Sequence, residues 1–269
     1  MNTSVELLAL KIVIAPVFVG VISLIALRYG HRMAGWLVAL PINTGTIVLI
    51  LTISDGPRFA ATVALGALLG IVSISVFTIV YARSALRLPW TACLGLASLG
   101  FVASTLALSQ FPELVVAELV VAVMAVAIAL RLVPVGKELE EPAPPPRWEL
   151  PLRMLTAALL VVVITTAADA LGPRLSGLLS PIPVFTITLV IFTHSRHGPA
   201  PVFVFLNGLQ YGLFSFAAFC AVVGVLLVPD GLVISFLAGL AAFVGVSVVL
   251  RRWLGREGYP RGAGSAKTA

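Results

Sequence analysis

Long apolar segments separated by short polar turns make up almost the whole chain. Nine such runs occur, each of about 20 residues, the length that a helix needs to cross a hydrocarbon core of roughly 30 Å. Polar and apolar positions do not alternate within the runs, so the pattern predicts transmembrane helices and not barrel strands. The predicted spans are residues 6–27, 33–53, 58–82, 88–109, 113–133, 151–170, 175–194, 199–227 and 231–251.

The composition agrees with this pattern. Hydrophobic residues make up 60% of the chain and charged residues 10%, whereas soluble domains carry about 25% charged residues. The sequence therefore predicts an all-α integral membrane protein without a soluble domain. The first apolar run lacks the basic start and small-residue cleavage site of a secretory signal, so we expect it to remain as a helix. Cys93 and Cys220 fall inside apolar runs, which predicts buried free thiols.

The distribution of Lys and Arg predicts the orientation in the membrane. If the nine spans alternate in direction, all of the 17 basic residues except Lys11, Arg58 and Arg174 fall on one side. Short loops rich in Lys and Arg stay in the cytoplasm, which predicts an outside N-terminus and a cytoplasmic C-terminus. Because topology accounts for the net charge of +6, we expect no nucleic-acid partner. Arg outnumbers Lys, and Ala, Val and Gly are abundant, which fits a bacterial inner membrane.

The two halves of the chain repeat each other at a single constant offset in residue number. Matches at Gly, Pro, Thr and Ser are informative because these residues have specific backbone or hydrogen-bonding roles. The matching pairs include Pro41 with Pro183, Thr44 with Thr186, Thr46 with Thr188, Gly66 with Gly208, Gly70 with Gly212 and Ser73 with Ser215. The predicted units are a first repeat with an extra helix (1–133), a cytoplasmic Pro/Glu linker (134–150), a second repeat (151–254) and a disordered cytoplasmic tail (255–269).

The number of spans predicts how the halves are related. Spans one to four match spans six to nine, and the fifth span has no counterpart, so an odd number of crossings separates equivalent helices. The predicted fold is therefore a pair of inverted-topology repeats plus an unpaired fifth helix. Such repeats are typical of secondary transporters. The alternative is a duplicated scaffold that transports nothing.

Spans two and seven are each interrupted by proline close to threonine. Proline inside a helix frees backbone groups, which in a membrane must be satisfied by neighbours, hydroxyls or a polar cavity. Paired interruptions at equivalent positions point to a midplane binding site, whereas the alternative is a kink in which Thr bonds its own helix. The predicted substrate-binding residues are Pro41, Asn43, Thr44, Thr46, Pro183, Thr186, Thr188, Asn207, Gln210 and Tyr211.

The last three of these residues flank a small-residue strip in the second half. Gly208 and Gly212 lie one turn apart and allow close helix packing, as do Gly66 and Gly70 in the first half. We expect each strip to face the Pro-containing helix of its own half. The polar neighbours occur only in the second copy, so we expect that half to supply more of any polar cavity.

Four charged residues complete the candidates. Glu118 lies inside span five, where a carboxylate suggests proton coupling, and the alternative is a buried pair with Lys11. Arg32 and Arg174 precede the Pro-containing spans, and we interpret them as lipid-phosphate contacts or as plain interfacial anchors.

The sequence gives little support for metal binding or catalysis. His194 and His197 are three residues apart, but no cysteine or carboxylate completes a metal site beside them. No nucleotide-binding, zinc-hydrolase, serine-hydrolase or redox motif is present. The sequence therefore predicts no metal, no cofactor and no enzymatic activity.

The second half resembles a known family. The string Ser176-Gly177-Leu178-Leu179, then Pro183-Val184-Phe185, followed by Gly198 and a small-residue helix, resembles the GlpM-like family of small bacterial membrane proteins. Those four-helix chains carry Ala-Gly-Leu and Phe-Pro-Thr at an equivalent position. The first half departs from the pattern between Ala34 and Pro41. The resemblance implies a tandem-fused version covering nearly the whole chain, and a role linked to envelope polysaccharide production.

Together these features predict a transporter-like inner-membrane protein that works by alternating access at the Pro-interrupted helices. The predicted partners are membrane lipids and a small polar or lipid-linked envelope metabolite. The alternative is a non-transporting scaffold for envelope polysaccharide or lipid assembly.

Overall fold

The structure is a computed structural model of the chain that describes residues 3–110, 114–137, 146, 148–171 and 183–256. Most of the predicted linker and tail, the first part of predicted span seven, and Arg174 lie outside the described residues, as do the side chains of Lys11 and Asn43. Over the described ranges the regular structure is entirely helical.

The described residues form nine helical segments. They are α1 (Thr3–Tyr29), α2 (His31–Val38), α3 (Ile42–Ser54), α4 (Pro57–Ser84), α5 (Trp90–Leu108), α6 (Val115–Leu132), α7 (Glu149–Leu171), α8 (Val184–His197) and α9 (Pro199–Arg256). Four of them, α4, α5, α6 and α9, are long and apolar enough to cross a membrane. These apolar helices indicate a membrane-embedded protein, in agreement with the hydropathy of the sequence.

Segment α9 is too long for a single crossing. Its 58 residues would extend about 87 Å at about 1.5 Å per residue, against a hydrocarbon core of roughly 30 Å. Gly231 interrupts it with a φ of 76° and a ψ of 178°, two residues after Pro229. The two parts, residues 199–230 and 232–256, correspond to the predicted eighth and ninth spans.

The predicted interruption of span two is confirmed as a complete break. Helix α2 ends at Val38 and α3 begins at Ile42. Short-range bonds close the end of α2, from the Leu40 N–H to the Leu37 carbonyl at 3.0 Å and from the Ile42 N–H to the Leu40 carbonyl at 2.8 Å. Some of the backbone N–H and carbonyl groups at the break are therefore hydrogen-bonded within the break itself, as an apolar medium requires.

Helix α4 and the first part of α9 form the centre of the bundle. Leu65 of α4 lies beside Gly224 of α9, and Ser75 bonds Gln210, so the two helices run antiparallel. Helices α5 and α6 pack on α4, α2 packs on α9, and α1 packs on α7. The buried core is aliphatic and aromatic, and Cys93 and Cys220 are buried free thiols as predicted.

One predicted packing partner is wrong. We expected the strip of Gly208 and Gly212 to face the Pro-containing helix of its own half. It faces α2 of the other half instead, because a Cβ at Gly208 would meet the Arg32 carbonyl, and one at Gly212 would meet Trp36 and Ala39. The small residues thus allow the backbones of α2 and α9 to approach closely.

Candidate functional site

Helices α3 and α8 begin in the same way, at positions that the sequence repeat pairs with each other. Pro41 precedes α3 with φ −75° and ψ 35°, and Pro183 precedes α8 with φ −80° and ψ 59°. In each case the proline carbonyl accepts the first helical bond at 2.8 Å, from Gly45 and from Ile187 respectively. Both prolines are buried. The matched prolines therefore start two helices of nearly the same length inside the protein.

The threonines after each proline also correspond. The Thr46 hydroxyl donates to the Ile42 carbonyl at 2.7 Å, and the Thr188 hydroxyl donates to the Val184 carbonyl at 3.0 Å. Each hydroxyl thus bonds its own helix, and its oxygen keeps acceptor capacity. Thr186 is 1% exposed on the inner side of α8, whereas Thr44 is half-buried.

Apolar groups surround the first break. A Cβ at Gly45 would lie 3.7 Å from the ring of Phe219 and 3.8 Å from that of Phe236. The rings of Phe18 and Phe185, on α1 and α8, lie 4.7 Å apart. Aromatic rings therefore lie beside both α3 and α8.

The polar residues of the second half occupy separate positions. The Asn207 side-chain amide donates to the Pro134 carbonyl at 3.1 Å and to the Phe203 carbonyl at 2.9 Å, which ties α9 to the chain after α6. Gln210 is fully buried and accepts a bond from the Ser75 hydroxyl at 3.2 Å. Among the described residues, its Nε2 has no hydrogen-bond partner. Tyr211 is half-buried.

The charged candidates belong to other helices, namely α6, α2 and α1. Glu118 is 3% exposed in the first turn of α6, where a carboxylate interacts favourably with the helix dipole. Arg32 lies at the start of α2, and its carbonyl faces Gly208. Lys11 belongs to α1 by its backbone.

Two pairs of hydroxyl groups escaped the sequence analysis. The Thr105 hydroxyl donates to Ser73 at 2.9 Å, between α5 and α4. The Ser247 hydroxyl donates to Ser215 at 2.8 Å, between the two parts of α9. Both bonds link the same two repeat positions, because Thr105 and Ser247 are separated by the same offset as Ser73 and Ser215. The match of Thr105 with Ser247, besides that of Ser73 with Ser215, was therefore the feature of the sequence that could have indicated these bonds.

A cluster of charges also escaped prediction, at the end where α7 begins and α8 ends. The buried Glu149 carboxylate accepts bonds from Arg153 at 3.1 and 2.5 Å and forms an ion pair with Arg196. Arg153 also donates to the Ser23 hydroxyl at 3.4 Å, which adds α1 to the cluster.

Histidine extends this cluster. His197, the last residue of α8, has its ring 6.4 Å from that of His31 on α2. Burial lowers the pKa of His197 below its ordinary value of 6.5, and the positive charges of Arg196, His31 and Arg153 act in the same direction. The ring is therefore neutral at pH 7. Within the described residues, no three His, Cys, Asp or Glu side chains are placed to hold a metal ion.

The fold and these sites define a membrane-embedded helical protein with matched proline-led half-helices in its interior. Comparisons of the chain with protein-family models, with curated proteins and with solved structures give no match.

Proposed function

We propose that this protein is a transporter of the inner membrane, built from two inverted-topology repeats and working by alternating access at its Pro-interrupted helices. The observation that carries the proposal is the matched start of α3 and α8 at Pro41 and Pro183. The proposed orientation, from the distribution of Lys and Arg, has the N-terminus outside and the C-terminus in the cytoplasm.

Other local matches support the inverted repeat. Gly56 and Gly198, which the repeat also pairs, have φ values of 93° and 75°, and each precedes a proline that opens the next helix. The hydroxyl pairs of α4 with α5 and of the two parts of α9 correspond in the same way. A shared offset for backbone turns and for side-chain bonds favours duplication over coincidence.

Half-helix ends suit the recognition of a polar cargo. The first-turn N–H groups of a helix have no carbonyl partner within it, and neither α3 nor α8 has a side-chain cap. These groups present positive partial charge inside the membrane, as in transporters with discontinuous helices. The proposed cargo, following the GlpM-like resemblance, is a small polar or lipid-linked envelope metabolite.

Reconstitution into vesicles tests this proposal. The probes are a fluorescent polyprenyl-phosphate lipid and radiolabelled glucose, each compared with protein-free vesicles. We expect flux of one probe, and a loss of most of it in Pro183→Ala and Thr186→Val. Thr156→Val is the matched control, because it makes the same substitution in α7, at a threonine whose exposed hydroxyl bonds its own helix at 2.8 Å. Unchanged flux in the first two variants would reject the site.

A scaffold is the second candidate, and two observations favour it. The close packing of α2 on Gly212 and the aromatic rings beside Gly45 are what a permanently packed interface would contain. A scaffold for envelope polysaccharide or lipid assembly predicts no flux of either probe by the wild-type protein. It also predicts altered envelope polysaccharide in cells that lack the protein.

A further inference from the structure

A groove lies between α4 and α5, on the side of α4 that carries the glycine strip of the first half. Its lining consists of two glycines, two hydroxyl residues and two leucines, namely Gly66, Leu69, Gly70, Ser73, Thr105 and Leu108. Within the ranges that the structure describes, no atom lies within 4 Å of a Cβ added at Gly66. Glycines one turn apart let another backbone approach closely, so this groove is shaped for a close neighbour.

The corresponding groove of the second half is filled. The sequence repeat pairs the glycines and hydroxyl residues of the first groove with Gly208, Gly212, Ser215 and Ser247. There α2 lies directly on the glycine strip, because a Cβ added at Gly212 would lie 2.7 Å from the Trp36 carbonyl oxygen. The Trp36 ring also lies 5.9 Å from that of Phe243, in the second part of α9. Helix α2 therefore occupies the groove between the two parts of α9.

The counterpart of α2 in the sequence falls in residues 172–182, which lie outside the described residues. Both ends of this stretch match the repeat. Leu171, the last residue of α7, is the counterpart of Tyr29, the last residue of α1. Val184, the first residue of α8, is the counterpart of Ile42, the first residue of α3. The connection from α7 to α8 therefore has the same length as the connection that contains α2.

The stretch also keeps the residue types on which the packing of α2 depends. A Cβ at Gly35 would meet the Phe205 carbonyl of α9, so α2 needs a glycine at this position. The counterpart of Gly35 is Gly177. The aromatic pair between α2 and α9 has Leu178 and Phe101 as its counterparts, so both positions stay apolar. A close approach to α4 and an apolar contact with α5 are thus both available to this stretch.

We infer that residues 172–182 occupy the groove between α4 and α5, in the way that α2 occupies the groove between the two parts of α9. The hydroxyl groups of Thr105 and Ser73 already bond each other at 2.9 Å, so the groove suits an occupant rich in small and apolar residues, as this stretch is. Each half then packs the stretch before its proline-led helix onto the other half. The inference rests on the repeat of the proposed function but not on transport, because a scaffold would make the same contact.

Cross-linking between introduced cysteines tests this contact. The starting protein is the full chain with Cys93→Ala and Cys220→Ala, reconstituted in lipid nanodiscs. The test pair, Leu178→Cys with Phe101→Cys, is treated with a short bifunctional methanethiosulfonate. Gel mobility then separates monomer from dimer, and peptide mass spectrometry identifies the linked residues. We expect an intramolecular link between the two introduced cysteines.

Two further pairs calibrate the yield. Trp36→Cys with Phe243→Cys is the positive control, because these rings lie in contact in the corresponding groove. Leu178→Cys with Leu99→Cys is the matched negative control. Leu99 is 69% exposed and, two residues before Phe101, lies on nearly the opposite side of α5, since one helical turn takes about 3.6 residues. The test pair should match the yield of the positive control, and the Leu99 pair should give only background.

A second test pair covers the case in which the loss of the Phe101 ring unfolds the chain. Leu175→Cys with Ser109→Cys changes two smaller side chains, and their counterparts, Met33 and Arg251, lie 3.5 Å apart. Background yield from both test pairs beside an efficient positive control would overturn the inference and leave the groove to a lipid chain. A link found only in dimers would also overturn it, in favour of a second copy of the protein. The flux assay uses other variants, so a contact without flux would reject transport alone, and flux without the contact would reject this inference alone.

Discussion

Because α2 packs closely on α9 at Gly212, the substitution Gly212→Ala tests the described fold. A Cβ at Gly212 would lie 2.5 Å from the Ala39 Cβ and 2.7 Å from the Trp36 carbonyl oxygen. Non-bonded heavy atoms normally rest about 3.5–4.0 Å apart, so α2 would have to retreat by about 1 Å. Neither partner is the tip of a flexible side chain, and neither can rotate away.

Overpacking of this kind costs about 1–3 kcal/mol. For a chain of this size each kcal/mol corresponds to about 2–4 °C, so we expect the melting temperature of Gly212→Ala to fall by about 2–12 °C. Gly245→Ala is the matched control, because Gly245 lies in the same element with nothing within 4 Å of its added Cβ. The gain in helix propensity there is at most about 1 kcal/mol, so its melting temperature should stay the same or rise slightly.

The measurement is thermal unfolding of the purified protein in detergent micelles, followed by tryptophan fluorescence. Trp36, one of four tryptophans, lies at the interface of α2 with α9, with the Arg251 guanidinium 4.3 Å from its ring centroid. It therefore contributes a signal from this interface to the total emission. If Gly212→Ala and Gly245→Ala melt at the same temperature, α2 does not rest on α9 and the packing described above is wrong.

Two further predictions concern buried polar groups. Because burial and neighbouring cations lower the pKa of His197 below 6.5, the unfolded chain binds more protons than the folded one once the pH falls through that value. In phosphate-free buffer the free energy of unfolding should therefore decrease as the pH falls from about 7.5, until the pH lies below the lowered pKa. The decrease should be less steep in His197→Gln. Identical slopes for the two proteins would contradict this prediction. Gln210→Leu removes an amide whose Nε2 has no partner among the described residues, and it leaves Ser75 free to bond its own helix. Thermal unfolding should therefore show no loss of stability. A loss above about 2 kcal/mol would mean that the Gln210 amide stabilises the fold.

Much of the fold follows from patterns along the chain. Continuous apolar runs predict where the helices lie, and Pro41 predicts the break between α2 and α3, because proline cannot continue the backbone bonding of a helix. The turn at Gly231 also coincides with the predicted start of the ninth span. These features depend on neighbours in sequence, so the sequence alone reveals them.

Contacts between helices are less accessible. Gly208 predicts that another helix packs closely against its own helix, but it does not identify that helix. In the structure the partner is α2 of the other half. Likewise Glu149 and Arg196 read only as loop charges in the sequence, although their ion pair joins α7 to α8. Such pairings depend on how whole helices pack, which hydropathy does not encode.

The turns between helices have a consequence for recognition by other molecules. One residue, Gly30, separates α1 from α2, and Gly198 alone separates α8 from α9, while α3 and α4 are joined by Asp55 and Gly56. Turns this short expose almost no surface to which a soluble protein could bind. At these three turns a partner would therefore have to approach sideways through the lipid, and an epitope inserted at one of them would disturb two helices at once.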